Sequence, residues 1–467
     1  MMTLRDLAAS IGARLVGVEA DGESRIFDSV ATDSRKFKSG ALFVALRGEH
    51  FDGHEFVAAV ASQGAAAAIV DGRFAAERAP LPLLVVDDTR IALGKLAAAW
   101  RARFSIPLIA VAGSNGKTTV KEMIAAILRD HFGAQQILST EGNFNNDIGL
   151  PLTLLRLRQT HLAAVVEIGM NHPGETAILA AIARPSIALV NNAQREHQEF
   201  MSSVAEVARE HAFLPASLPR GGVAVFNADD EHAAVWHEAA VRVGAICREF
   251  GVNEGAEIHA NCRLAQFASD IEAHTPEGSV RFELPMPGLH NVRNALAAIG
   301  ASLAAGASLE AAARALRTFC AVKGRMQKKL TQGGATLIDD TYNANPESVH
   351  AAIEVLAACP EPRVLVLGDM GEVGQQGAAF HTEVGEHARM AGLTALITFG
   401  EQTRHTATAF GRGQHAESIE QAIDVLRHYD RAGATLLVKG SRFMRMERVV
   451  AALEPQPSLQ SITEGAH

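Results

Sequence analysis

"PLIAVAGSNGKTTV", residues 107–120, decides the fold. Its first half is an apolar run of the kind a buried parallel strand shows. Beyond it, Val120, Met123, Ile124, Ile127 and Leu128 recur at helical spacing. Strand, glycine-rich turn and helix therefore follow in order. Gly113 and Gly116 let the backbone turn tightly and approach a ligand, with Ser114, Asn115 and Thr119 completing the loop. The free N–H groups and dipole of the helix start favour an anion. Lys117 is placed to reach terminal phosphates, and Thr118 to hold Mg²⁺. The loop is nonetheless short. The usual phosphate loop has Gly, four residues, then Gly-Lys-Ser/Thr, and here Val111 stands where the first glycine would be. An ordinary strand-to-helix turn is the plain alternative, but packing alone gives little reason for Gly-Lys-Thr-Thr at that junction.

Working outward, strands and helices alternate from about 87 to 321, with "LIAVAG", "LAAVVEIGM", "SIALVNN" and "GVAVFNADD" as strands. That is the pattern of a parallel α/β sheet. Residues 256–287 alternate and carry the turn "TPEGS", which predicts a small antiparallel insert. From about 322 a third α/β unit begins, with strands "ATLIDD", "RVLVLGDM", "TALITFG" and "ATLLVKGS". Ligands in such sheets sit beyond the carboxyl ends of the strands. Residues 1–86 mix short strands and turns, and "MMTLRDLAASIGARLVG" reads as an amphipathic helix rather than a signal peptide. The chain thus divides as 1–86, 87–321 and 322–467.

The 467 residues are 48% hydrophobic and 20% charged, as in a soluble globular protein. The net charge of −9 argues against nucleic acid as a partner. Cys247, Cys262, Cys320 and Cys359 have no metal spacing and read as reduced thiols of a cytoplasmic protein. No charge-free apolar run is long enough for a membrane span. With no G-x-G-x-x-G, a dinucleotide cofactor is not expected.

Three stretches beside the loop carry chemistry. Glu167, near the end of "VVEIGM", can reach a metal held at the phosphate loop; a solvated strand end is the bland alternative. "EGNFNNDIGLP" gathers Asn143, Asn145 and Asn146, either as turn residues or as donors to an acyl or phosphate oxygen. "NNAQREHQEF" sets His197 just after another strand of the same sheet, a structural histidine or a ligand.

Together with "GLHNVRNALAA" (288–298), "KGRMQ" (323–327), "IDDTYNANPES" (338–348), "LGDMGEVG" (367–374) and "KGSRFMRME" (439–447), these motifs resemble the Mur ligases. That family comprises ATP-dependent amide-forming enzymes of peptidoglycan synthesis, and its phosphate loop is similarly short. The resemblance covers nearly the whole chain. It implies an α/β protein of three domains: a small N-terminal UDP-binding domain, a central parallel-sheet ATPase domain with its antiparallel insert, and a Rossmann-like C-terminal domain. Within the family, the Asp-Asp-Thr-Tyr-Asn-Ala-Asn-Pro and Lys-Gly-Ser-Arg runs point to D-Ala-D-Ala as acceptor and UDP-N-acetylmuramoyl-tripeptide as donor, in a monomeric enzyme using ATP and Mg²⁺. The resemblance implies that Lys117, Thr118 and Glu167 serve the nucleotide and a first Mg²⁺, and that His197 and Glu167 serve a second. It gives Asn291 and Asn294 to adenine, with His290 shaping the turn. It brings Arg325 and Asp340 to the nucleotide from the third domain, with Tyr342, Asn343 and Asn345 beside them. Ser34 and Arg35, with "GEHFDGH", would hold the UDP end. Lys439, Ser441 and Arg442 would meet the dipeptide or the acyl phosphate.

One departure from the family stands out. Many members carry a carbamylated lysine as a second-metal ligand in the helix after the histidine. Here that helix reads "VAREHAFLPASLP"; the lysine position falls at His211 and a neighbouring Glu position at Phe213. The chain has no lysine from 122 to 322, and arginine, always protonated, cannot be carbamylated in its place. The expectation is a second Mg²⁺ held by Glu167, His197 and water, with His211 adjacent and no stimulation by bicarbonate. Other possibilities are a folylpolyglutamate synthase or sister Mur enzyme, against which "DDTYNANP" argues, a GTPase or transporter ATPase, whose Asn-Lys-x-Asp or Leu-Ser-Gly-Gly runs are missing, and a non-catalytic nucleotide-binding protein.

Overall fold

The computed structural model describes residues 1–17, 20–75 and 80–455; residues 456–467 of the expected third domain lie outside them. The N-terminal helix is shorter than its sequence suggests. It spans Leu4–Ile11, capped by Thr3, whose side chain accepts from the Asp6 N–H, and ended by Gly12 in the left-handed conformation. The next residues, Arg14–Val16, leave the helix to form an edge strand. Leu4, Leu7, Ala8 and Ile11 make its buried stripe. The first sheet runs in the order Arg14–Val16, Leu83–Val86, Ala67–Asp71, Leu42–Val44, Val30–Ala31, parallel except at Arg14–Val16.

The second sheet is parallel throughout, in the order Ile246–Phe250, Val223–Asn227, Ile187–Val190, Leu108–Ala112, Ala163–Glu167, Ile137–Ser139. Leu108, Ala110 and Ala112 point into one core and Ile109 and Val111 into another. Burial on both faces is why this stretch reads as one unbroken apolar run. The two edge strands, 137–139 and 246–250, were not expected from sequence. The first has only three residues, and the second is partly exposed with Arg248 and Glu249 at its centre. The expected insert is a meander of His259–Leu264, Ser269–Thr275 and Gly278–Leu284.

The third sheet has the order Gln327–Leu330, Thr336–Asp340, Thr435–Lys439, Arg363–Gly368, Ala395–Phe399, Gln414–Ala416, parallel except at its first strand. Again its outer strands, 327–330 and 414–416, were the ones without a sequence signal. In the second sheet the phosphate-loop strand sits between neighbours reached in opposite directions, so the chain divides to either side beyond its carboxyl end and leaves a crevice there. The carboxyl end of Thr336–Asp340 in the third sheet opens on the same crevice. No described helix is long and apolar enough to cross a membrane.

Candidate active site

The helix Lys117–Phe132 begins where the loop ends, with Gly116 as N-cap at φ +82°. A Cβ on Gly116 would lie 2.5 Å from Asn294 Oδ1 and 2.6 Å from Asn191 Nδ2, so only glycine fits. The loop is tied to the end of the neighbouring strand. The Ser114 and Asn115 N–H groups donate to the Asn192 carbonyl and to Asn192 Oδ1, and Asn191 Nδ2 donates to the Asn115 carbonyl. The loop and its surroundings line a cleft of about 800 Å³.

On one side of the loop stands a hard-oxygen pair. Thr118 Oγ1 donates to Glu167 Oε2 at 2.9 Å, and Asn145 Nδ2 donates to Glu167 Oε1 at 2.8 Å. Arg325 Nη2, from the third domain, donates to Thr118 Oγ1 at 2.9 Å and so sets a cation against the pair. The hydroxyl and the carboxylate are hard oxygen donors that suit Mg²⁺, which takes few protein ligands beside phosphate and water; the Arg325 guanidinium occupies that side of the pair when no ion is bound.

On the other side Lys117 Nζ donates to the Gly113 carbonyl and, at 3.2 Å each, to the Ser114 carbonyl and Glu196 Oε2. His211 Nε2 lies 3.1 Å from Glu196 Oε1, and His197 Nε2 lies 3.8 Å from Glu196 Oε2. Burial alone would push the Glu196 carboxyl up; the Lys117 charge, the His211 hydrogen bond and the His197 charge outweigh it and hold the group at about 2. His197 Nδ1 is 2.6 Å from Glu372 Oε2 of the third domain. His197 and Glu372 both have left-handed backbones, at φ +50° and +58°. Such strain in non-glycine residues gathers where surroundings enforce it.

The contacts of Glu167 are thus with Thr118 and Asn145, and those of His197 with Glu196 and Glu372. Among the described residues, no three His, Cys, Asp or Glu side chains are grouped as around a metal ion. His211 is buried and Phe213 is exposed.

Against the phosphate loop, Asn294 Oδ1 accepts from Asn191 Nδ2, Asn294 Nδ2 donates to Asn291 Oδ1, and Asn291 Nδ2 to the Pro287 carbonyl. Burial pushes the neighbouring His290 down to about 4, opposed by Asp340 and aided by Lys439 and Arg293. Arg293 Nε donates to Asp229 at 3.0 Å.

The third domain supplies the opposite wall. Asp340 Oδ1 accepts from the Met326 N–H at 3.1 Å, and Asp340 Oδ2 from Lys439 Nζ at 2.5 Å. Lys439 Nζ also donates to the Asn343 carbonyl, so this buried ammonium is committed within the fold. The Arg325 guanidinium stacks 4.0 Å from the centre of the Tyr342 ring, and Arg442 lies 5.9 Å from it. Asn345 caps the helix Pro346–Ala357 and exchanges hydrogen bonds with Asn115, at 3.0 and 3.3 Å.

Most residues singled out in the sequence therefore line one cleft, including Asn143, Asn146, Thr119, Asn343 and Arg442. Asn146 Oδ1 also accepts from the N–H of Gly149, the first residue of the next helix. Ser34, Arg35, Gly113 and Ser441 are not in its lining. Arg35 pairs with Asp33 on the exposed surface of the first domain, and Ser441 Oγ accepts from the Gly371 N–H and donates to the Ala344 carbonyl. Sequence reading passed over Glu196, Arg195, Asp229 and Glu372. The density of charge in "QREHQE" directly after a buried strand points to that segment, without telling which of its side chains turns inward.

Comparison with known proteins agrees with this geometry. Residues 111–302 match the Mur ligase middle domain, residues 324–442 the Mur ligase glutamate ligase domain, and residues 27–101 the Mur ligase family catalytic domain. The chain is 40% identical to the UDP-N-acetylmuramoyl-tripeptide–D-alanyl-D-alanine ligase of Escherichia coli K12, over 93% of this chain and 96% of that protein. It is 31% identical to the Bacillus subtilis ligase of the same name, over 97% of this chain and 99% of that one. Among solved structures it resembles MurF from Acinetobacter baumannii, with a TM-score of 0.87, 33% identity and coverage of 96% and 98%. It also resembles MurF ligase from Thermotoga maritima in complex with ADP, with a TM-score of 0.80, 25% identity and coverage of 91% and 96%.

Proposed function

The chain belongs to the Mur ligase family, and on that footing we propose that it is an ATP-dependent ligase joining D-alanyl-D-alanine to UDP-N-acetylmuramoyl-tripeptide. The product is the pentapeptide precursor of peptidoglycan, with ADP and phosphate. The observation that carries this reading is the cleft itself. A phosphate loop on one wall faces Arg325, Asp340 and Tyr342 on the other, and a ligase of this name is 40% identical over 93% of the chain.

The tripeptide carboxylate attacks the γ-phosphorus of ATP, the bond to the β-phosphate oxygen breaks, and an acyl phosphate forms. The dipeptide amine then attacks the acyl carbon, loses a proton, and expels phosphate. Phosphoryl transfer needs positioning and charge stabilisation more than covalent help. Lys117 and the N–H groups opening its helix hold the terminal phosphates. Mg²⁺, when bound, draws charge from the transferring group, and Thr118 and Glu167 would hold it. Asn145 orients Glu167 through its 2.8 Å hydrogen bond. Asn291 and Asn294 shape the adenine end, while Arg325 and Asp340 close over the nucleotide. Arg442 and Asn343 take the dipeptide. Ser34, Arg35 and the "GEHFDGH" segment hold UDP; His54, Asp52, Asp71 and Arg47 form the hydrogen-bonded network that orders that segment.

The same proposal keeps the division at 1–86, 87–321 and 322–467. It also keeps a monomer, since both walls come from one chain, and a cytoplasmic setting, where ATP and UDP-linked substrates occur. The test is phosphate release from ATP with the UDP-linked tripeptide. Release that depends on D-Ala-D-Ala supports the reading; release only with free diamino acids moves the enzyme elsewhere in the family.

A further inference from the structure

Glu196 is 7% exposed and lies at the phosphate end of the cleft, where the proposed ligase would bring the γ-phosphate and the peptide carboxylate together. One of its oxygens, Oε1, is fixed from behind by His211, itself 1% exposed. The other, Oε2, faces Lys117 at 3.2 Å and His197 at 3.8 Å. A buried carboxylate is stable only when paired. In the nucleotide-free state its partner is the Lys117 ammonium. Once Lys117 turns to the phosphates, an anion would be left beside other anions, and their repulsion in a partly dry cleft is large. A divalent cation removes that conflict. Glu196 Oε2 and His197 Nε2 are closer together than the roughly 4.2 Å that two ligands of one Mg²⁺ can span, at about 2.1 Å each.

We propose that Glu196, with His197, binds a divalent cation at the phosphate end of the cleft when nucleotide is present, and that His211 is a positioning residue that aims the Glu196 carboxylate. This rests on the ligase reading for the nucleotide and goes beyond it in the ligands. It also replaces the expectation that Glu167 and water share this ion with His197. Glu167 serves the Thr118 side of the loop and Glu196 the Lys117 side. The chain thereby carries a permanent carboxylate in the helix-facing position and has no need of bicarbonate.

The experiment counts Mn²⁺ bound to the full chain by electron paramagnetic resonance, in bicarbonate-free buffer with a non-hydrolysable ATP analogue. The wild type should bind two ions, one showing a directly bonded imidazole nitrogen in its spin-echo modulation. Glu196→Gln should bind one. His211→Ala should weaken the second ion by about tenfold or more, and His211→Gln, which keeps a donor, should weaken it less. Circular dichroism checks that each variant is folded; should Glu196→Gln not fold, the two His211 variants decide, since a second ion unweakened in folded His211→Ala would also overturn the proposal. A single Mn²⁺ in the wild type, two unweakened ions in folded Glu196→Gln, or a second ion that appears only with bicarbonate would each overturn the proposal. None of these readings needs the acceptor, so they stand apart from the phosphate-release test.

Discussion

Arg195 clasps Glu383: its Nη1 and Nη2 donate to the two carboxylate oxygens at 2.8 and 2.9 Å, from a loop of the second sheet to a helix of the third domain. The same guanidinium donates through Nε to Glu347 at 2.5 Å and lies 4.8 Å from the centre of the Phe380 ring. Hydrogen bonding to Glu383 holds the Arg195 guanidinium above, and the Glu383 carboxyl below, their ordinary ranges. The clasp sits one residue from Glu196 and two from His197, so it joins the walls where the chemistry occurs. Arg195→Ala should loosen closure, raising KM for both ATP and tripeptide by about tenfold, the scale of a partly exposed bidentate pair. X-ray scattering should show a larger radius of gyration. Arg195→Lys should not restore either value, since a point charge cannot serve two carboxylates in a fork. Unchanged scattering in the alanine variant would remove the latch.

Removing Lys117 tests the phosphate loop. Lys117→Met should lower kcat by about 10²–10³-fold, as loss of one charge stabiliser does. Thr118→Val should act similarly and shift the Mg²⁺ requirement upward, while Thr118→Ser should keep most activity. Steady-state rates across a Mg²⁺ titration decide; a valine variant with normal Mg²⁺ dependence would exclude Thr118 as a ligand.

Lys439 and Asp340 are directly opposite one another in neighbouring parallel strands, with side chains 3% and 13% exposed. Lys439→Ala would leave Asp340 buried and unpaired, at a cost of about 3–5 kcal/mol. Lys439→Met combined with Asp340→Asn should recover much of that. Urea unfolding of the two variants measures the difference. A fully stable Lys439→Ala variant that has lost only dipeptide binding would return Lys439 to the substrate role its motif implies.

His290 sets a pH dependence. Its folded value of about 4 lies below the ordinary 6.5, so between those values the unfolded chain binds more protons. Stability should therefore fall as pH drops from 6.5 to 4 and be insensitive to this group above 6.5. His350 and His381 are also pushed down by burial and act in the same direction. His290→Gln should flatten part of the slope seen in urea unfolding between pH 4.5 and 7, and an unaltered slope would refute the assignment.

The parallel core was legible because its strands are apolar on both faces; Leu108–Ala112 and Ala163–Glu167 have no residue that would suit water until their carboxyl ends. The edges were not, because Ile246–Phe250 and Gln327–Leu330 bury too little to show a pattern. The positions of Lys117, Thr118 and Glu167 were legible for a similar reason: the first two open the helix after one strong strand and Glu167 ends another, and such strands aim their ends at ligands. Glu196 was hidden in a run of charges where only a fold can say which one turns inward. The pairing of Asp340 with Lys439 spans 99 positions, and nothing local to either residue announces it.

Beside the ionic clasp, the walls are also joined by the reciprocal amides of Asn115 and Asn345. These groups neither titrate nor attract counterions. Salt weakens a partly exposed ion pair progressively as its concentration rises, but it leaves neutral amide contacts nearly untouched. The protein therefore has two grades of closure. A saline or acidic medium should relax the outer clasp and spare the inner contact, so the phosphate loop would still register the third domain when the rest of the interface has slackened.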